Sequence, residues 1–169
     1  GEQGRVILDI LRACGGHDDL VFIDDDQSLH GESIEGVPII GGREKISTVT
    51  DDETRCIIAF GDRPDTRLNI ADLLTDANCD FFNAIHPSSA ISRTVTLGQG
   101  ITINGQSYLG PGTTLKNHVL VDSCVNISHD CILKTGATVT PNATLAGGVR
   151  VGRNAYIGPN ATILEDLTI

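Results

Sequence analysis

At 169 residues the chain is long enough for two small domains and a sizeable core. Its net charge of −10 argues against a nucleic-acid backbone or an anionic membrane surface as partner, and no apolar run reaches the length of a membrane span. The five cysteines, at 14, 56, 79, 124 and 131, show no metal spacing, and with no signal-peptide pattern they suit reduced thiols in a cytoplasmic protein.

In chain order, Gly1-Glu2-Gln3-Gly4 opens directly into a helical stretch, VILDILRA (6–13). A glycine turn of this kind commonly follows a first strand, so a strand is expected ahead of residue 1; a plain helix entry is the alternative. LVFIDDD (20–26) reads as a buried strand ending in three carboxylates. VPII (37–40) is a short extended piece closed by Gly41 and Gly42, and TRCIIAFGD (54–62) is another strand. RPDTRLNIADLL (63–74) reads as a helix with Pro64 near its start, and CDFFNAI (79–85) as a last extended segment before His86 and Pro87. Apolar strands alternating with helices indicate a parallel α/β unit over 1–85, Rossmann-like in layout. Ligands of such sheets bind beyond the strand carboxyl ends, here Asp24, Asp25, Asp26, Gly61 and Asp62.

The second half, 86–169, follows a different rule. Stepping by six from Ile91 to Ile163 gives thirteen positions, all aliphatic, and the residues four places after each are small or apolar almost throughout. A hexapeptide period is the signature of a parallel β-helix, in which three hexapeptides close one triangular coil of eighteen residues. Cys131 falls on an inward position and is expected in the core. Gly98, Gly110, Gly152, Gly158, Asn104, Asn117, Asn154 and Asn160 are read as turn residues tolerating unusual backbone angles.

One stretch of the repeat, NISHDCILK (126–134), carries two titratable side chains between inward aliphatics. His129 is the third residue of its hexapeptide and is expected to point outward. One coil later stands Gly147, and coils stack about 4.8 Å apart, so the imidazole should lie beside a backbone without side chains, with Gly148 over Asp130. A neutral histidine placed there can accept a proton from an attacking nucleophile near pH 7. Asp130 reaches it only if the backbone bends, because neighbours on an ideal strand point to opposite faces. His118 reads as a surface residue, His86 as structural, and His17 and His30 as loop residues. Lys116 and Lys134, one coil apart, read either as a solvated face or as attraction for phosphates.

The segments GEQGRVILDILRA, FIDDDQSLHGESIEGVPIIGG, AIHPSSAIS, NISHDCIL and ATLAGGVRVG together resemble the NeuD family of bacterial sugar acetyltransferases. That resemblance implies a left-handed β-helix, a homotrimer, and acetyl-CoA bound along the helix between subunits, with no metal. It implies a nucleotide sugar, UDP-linked in many members, held by the N-terminal domain, and acetyl transfer to its amine. His129 would be the general base with Asp130 as its acidic partner. Gln3, Gly4, Asp24, Asp25 and Gly61 would contact the sugar nucleotide, and Gly147 would approach the acetyl group. Two positions depart from the pattern: Thr138 stands where a second, cofactor-contacting histidine is common, though its hydroxyl can still hydrogen-bond, and Gln3 stands where histidine is common. The repeat register is unfinished at Ile169, so further coils and a tail enclosing the cofactor are expected. Competing readings are a sugar O-acetyltransferase, a zinc carbonic anhydrase needing three convergent histidines, and a non-catalytic trimeric assembly module.

Overall fold

The structure, a computed structural model, describes residues 2–16, 19–51, 53–61 and 64–169; Gly1, His17, Asp62 and Arg63 of the sequence reading lie outside the described residues. Helix α1 (Glu2–Ala13) buries Gly4, Ile7, Leu8, Ile10 and Leu11, one stripe at helical spacing. It ends where Gly16 donates to the Leu11 carbonyl and Gly15 to that of Arg12, both glycines at positive φ. The buried stripe covers Leu20, Ile57, Ala59 and Phe82. On the opposite side, α2 (Pro64–Asp76) covers Cys56, Ile58 and Phe81 through Ala71 and Leu74. The segment 56–59 therefore sends alternate residues to helices on its two faces, as a doubly covered parallel sheet requires.

The regular strands here are shorter than the apolar runs. Of TRCIIAFGD only β1 (Arg55–Cys56) pairs, parallel to β2 (Asp80–Phe81). LVFIDDD forms no continuous strand; it is extended and meets VPII through one parallel bridge, Phe22 to Ile39. The cysteine expectation is also revised. Cys56 and Cys79 are joined in a disulfide, because the parallel pairing of β1 with β2 brings Cys56 beside the residue just ahead of β2, 23 positions along the chain. Cys14, Cys124 and Cys131 are free, and Cys131 is fully buried as expected.

From Ala84 onward the chain winds into a parallel β-helix. Each coil contributes one two-residue strand to each of three walls, and every strand pairs with the one eighteen residues away. The first wall holds the strands beginning at 84, 102, 120, 138 and 156; the second those at 90, 108, 126, 144 and 162; the third those at 96, 114, 132 and 150. The thirteen aliphatics of the six-residue rhythm are the second, inward residue of these strands, and those from Ile103 to Val151 have no solvent exposure. The corners follow the same period: Gly100, Gln106, Gly112, His118, Cys124, Asp130, Gly136, Asn142, Gly148, Asn154, Asn160 and Asp166 all have positive φ. Thus Asn154 and Asn160 occupy left-handed positions as expected, whereas Gly98 and Gly110 do not. Their lack of a side chain serves close coil stacking instead: a Cβ on Gly98 would lie 2.8 Å from the Asn117 nitrogen, and one on Gly110 2.8 Å from the Ser128 carbonyl carbon.

The N-terminal domain sits on the first wall. Of the outward residues there, Ala84, Thr102, Leu120 and Thr138 are 1–3% exposed, and Tyr156 on the last coil, beyond the domain, is 50% exposed; Tyr108 on the second wall is 43% exposed and Arg150 on the third is exposed. Only the two walls that meet at the corner of residues 128–131 remain open.

Candidate active site at an open corner of the prism

His129 and Asp130 follow the second-wall strand Asn126–Ile127 and precede the third-wall strand Ile132–Leu133. Asp130 takes the left-handed corner conformation, φ +58°, with its amide donating to the Pro111 carbonyl one coil below. This bend removes the strand alternation that would have parted the two side chains. Both point to solvent, and His129 Nδ1 lies 2.9 Å from Asp130 Oδ2. A carboxylate only accepts hydrogen bonds, so this contact places the neutral ring's proton on Nδ1 and leaves Nε2 with its lone pair.

The imidazole lies against the next coil at Gly147. A Cβ there would stand 2.6 Å from Cε1 and 2.7 Å from Nε2 of His129, so the ring occupies the space a side chain would fill. The coils are joined at this point, Gly148 N donating to the His129 carbonyl at 3.0 Å. The expected stacking of His129 on Gly147 is what the coordinates show. The expected position of Gly148 is more specific: it stacks over Asp130 in the coil register, but its own open side is filled by Asp166 Oδ1, as that of Gly112 is by Asp130 Oδ1.

Five further residues were expected to touch substrate. Gln3 and Gly61 are brought together, since a Cβ on Gly61 would lie 3.1 Å from Gln3 Oε1. Gln3 Nε2 is buried and has no hydrogen-bond partner among the described residues. Gly4 packs on Phe22, 3.1 Å from its would-be Cβ, at the start of the segment leading to Asp24. The Asp24 amide donates to the Gly41 carbonyl, and the Asp24 carbonyl lies 2.7 Å from His30 Nε2. Asp25 is already engaged: the Arg43 amide donates to Oδ1, and its guanidinium donates to Oδ2 at 2.9 Å through Nε. That guanidinium holds the Asp25 carboxyl below the usual carboxylate range.

Two sequence assignments are corrected by the docking of the domains. Thr138 does not face an open cofactor groove; it is 1% exposed, and its hydroxyl accepts from Arg67 Nη2 at 2.7 Å. His118 is not a surface residue. It is 7% exposed and meets Phe81 edge-to-face at 4.7 Å, with Nδ1 lacking a partner among the described residues. Burial, then the Arg67 charge, lowers its pKa below the ordinary histidine value. His118 and His129 stand on different corners of the prism, and among the described residues no three His, Cys, Asp or Glu side chains gather at metal-binding distance.

The residue that sequence reasoning missed is Arg67. Its signal was present: Arg67, Ala71 and Leu74 lie at helical spacing on the apolar stripe of α2. Its guanidinium is buried, and among the described residues no carboxylate is bound to it. Nε donates to the His118 carbonyl at 3.1 Å, Nη1 to those of Phe60 at 3.0 Å and Gly61 at 3.5 Å, and Nη2 to Gly136 O and Thr138 Oγ1. Burial pushes its pKa down to about 10.

Comparison with known proteins fits this architecture. Residues 1–74 match the family model of the PglD N-terminal domain. Across 99% of its length the chain superposes on 80% of the acetyltransferase domain of PglB from Neisseria gonorrhoeae FA1090, solved in complex with acetyl coenzyme A, with a TM-score of 0.92 and 27% identity. It also shares the fold of PerB from Caulobacter crescentus, solved with CoA and GDP-perosamine, at a TM-score of 0.78 and 23% identity over 99% of this chain and 87% of that one. No curated protein sequence matches the chain.

Proposed function

We propose that this chain, a PglD-type N-terminal domain docked on a parallel β-helix, is an acetyl-CoA-dependent acetyltransferase acting on the amine of a nucleotide-linked amino-deoxy sugar. The observation that carries the reading is the His129 imidazole, oriented by Asp130 through Nδ1 and presenting Nε2 at the bare backbone of Gly147. The PglB domain bound to acetyl coenzyme A, similar over nearly the whole chain, supports the acyl donor.

Acetyl-CoA supplies an already activated acyl group, so no acyl-enzyme is needed. His129 Nε2 accepts the proton that the sugar amine must lose as its nitrogen bonds to the acyl carbon. As the carbon–sulfur bond breaks, the same ring can return the proton to the leaving thiolate. The backbone N–H of Gly147 is a candidate donor to the oxyanion, that of Gly148 being already given to the His129 carbonyl. Gln3, Gly4, Asp24 and Gly61 hold the sugar nucleotide, and the unpartnered Gln3 Nε2 is a donor for it. Asp25 acts there through Arg43.

The two halves of this site lie on opposite sides of one chain. The N-terminal domain covers the first wall, and His129 stands at the corner facing away from it. A sugar held by one copy therefore meets the histidine of another, which supports a homotrimer packed through the open walls.

The test is release of free thiol from acetyl-CoA in the presence of UDP-linked amino sugars, with GDP-linked ones in parallel. The native protein should acetylate at least one of them, and His129→Ala should lower kcat by roughly 10²–10⁴. Native turnover in that variant would remove the mechanism. Acetylation confined to sugar hydroxyls would favour the O-acetyltransferase, and no thiol release with any acceptor would favour the assembly module.

A further inference from the structure

Arg67 makes an unusual set of contacts for a buried cation. A guanidinium has five N–H donors in a fixed planar fork, and here all five are directed at acceptors: four backbone carbonyls and one hydroxyl. The acceptors come from two places. Phe60 and Gly61 belong to the end of the extended segment against Gln3. His118, Gly136 and Thr138 belong to two successive coils of the β-helix. A carboxylate would have neutralised the charge from one side only; uncharged acceptors on both sides give the fork a different task.

We propose that Arg67 is a positioning residue, which fixes the Gly61–Gln3 part of the sugar-nucleotide site to the coils of the prism. The inference rests on the transferase reading above. Arg67 touches neither reacting atoms nor the imidazole. Its effect reaches the chemistry through the rigid prism, whose open walls pack on the copy that supplies the histidine, so a shift of the loop relative to its own coils moves the bound amine relative to the thioester held beside that copy's His129. Asn154, whose Nδ2 donates to Asp65 Oδ1 at 2.6 Å, pins the start of the same helix to the next coil. Lysine keeps the charge at 67 but has three donors converging on one atom, so it cannot span acceptors from both domains.

The experiment compares the native protein with Arg67→Lys and Thr138→Val, the second removing a single acceptor. Hydrogen exchange is followed at residues 59–61 and across the inward positions 103–151. Steady-state kinetics are measured separately for sugar nucleotide and acetyl-CoA. In Arg67→Lys, exchange at 59–61 should rise about tenfold while the prism stays protected. The kcat/KM for sugar nucleotide should fall about tenfold to a hundredfold, with KM for acetyl-CoA within about twofold of native. Thr138→Val should move the same readouts in the same direction by about twofold to threefold, and it carries the test if Arg67→Lys does not fold. Unchanged exchange at 59–61, equal loss of protection in both domains, or native kinetics for sugar nucleotide in a folded variant would each overturn the proposal. Failure of the native protein to acetylate any nucleotide amino sugar would instead sink the transferase reading, and the exchange pattern would still decide whether Arg67 clamps the loop.

Discussion

A glycine next to a catalytic base can be there for its own backbone or for the room it leaves, and the two uses separate at positions 147 and 148. Gly148 has φ +71°, a conformation L side chains rarely adopt, whereas Gly147 has no such requirement. The three atoms nearest to a Cβ at 147 all belong to the His129 ring. That ring is 64% exposed and free to swing aside. Gly147→Ala is therefore expected to change unfolding free energy by only about 1 kcal/mol or less. It should also displace the imidazole by roughly an ångström, lowering kcat about a hundredfold. Thermal melts beside initial rates check this. A variant that keeps its rate would show that Nε2 is not used where it lies. A variant that loses stability and rate together would show that the glycine serves packing.

At the scale of the element, one hexapeptide supplies two paired residues and a corner, too little for a strand to stand alone. Stability comes from stacking, each inward aliphatic resting on those of the coils above and below. Leu145 lies one coil above Ile127, and both are fully buried. Leu145→Ala should cost about 2–5 kcal/mol, since the paired coils on either side limit collapse into the space left. Urea denaturation reads that loss, and a cost well under 1 kcal/mol would mean the column is not packed as described. The same stacking explains what was legible in the sequence. The inward positions are dictated by the prism, so their chemistry is uniform and the period shows. The corners are legible only in part, because Gln106, His118 and Cys124 take left-handed angles that Gly or Asn would have announced. The outward positions are not legible. Thr102, Leu120 and Thr138 look like any surface strand residues, and their burial is decided by a domain encoded earlier in the chain. The His129–Asp130 pair could be read as far as its register; the bend that joins the two side chains belongs to the corner at 130. The Cys56–Cys79 pairing was hidden for the same reason, since it depends on which strands become neighbours.

For the whole molecule, the question is how the N-terminal domain is held on one wall, and that interface contains a group whose charge depends on pH. His118 lies there beneath Phe81, with Nδ1 unpartnered and the Arg67 guanidinium bound to its own carbonyl. Burial and the Arg67 charge both disfavour the imidazolium, and Asp72 opposes them only in part, so the folded pKa lies below the unfolded one. In the unfolded chain the histidine binds its proton near the ordinary value of about 6.5. The unfolded state thus takes up the proton first as the medium is acidified, and the difference favours unfolding. This contribution to stability is fully present above about pH 6.5 and declines as pH falls toward the folded pKa. One pH unit below the unfolded value it amounts to at most about 1.4 kcal/mol. Carboxylates add their own acid dependence, so the informative quantity is a difference between variants. Comparing urea midpoints of the native chain and His118→Phe at pH 7.5 and 5.5 isolates it: the phenyl ring keeps the contact with Phe81 but binds no proton, and the native chain should lose more stability over that interval. Equal losses would mean that the imidazole titrates in the folded protein as it does in the open chain, and that the domain interface does not exclude water from residue 118.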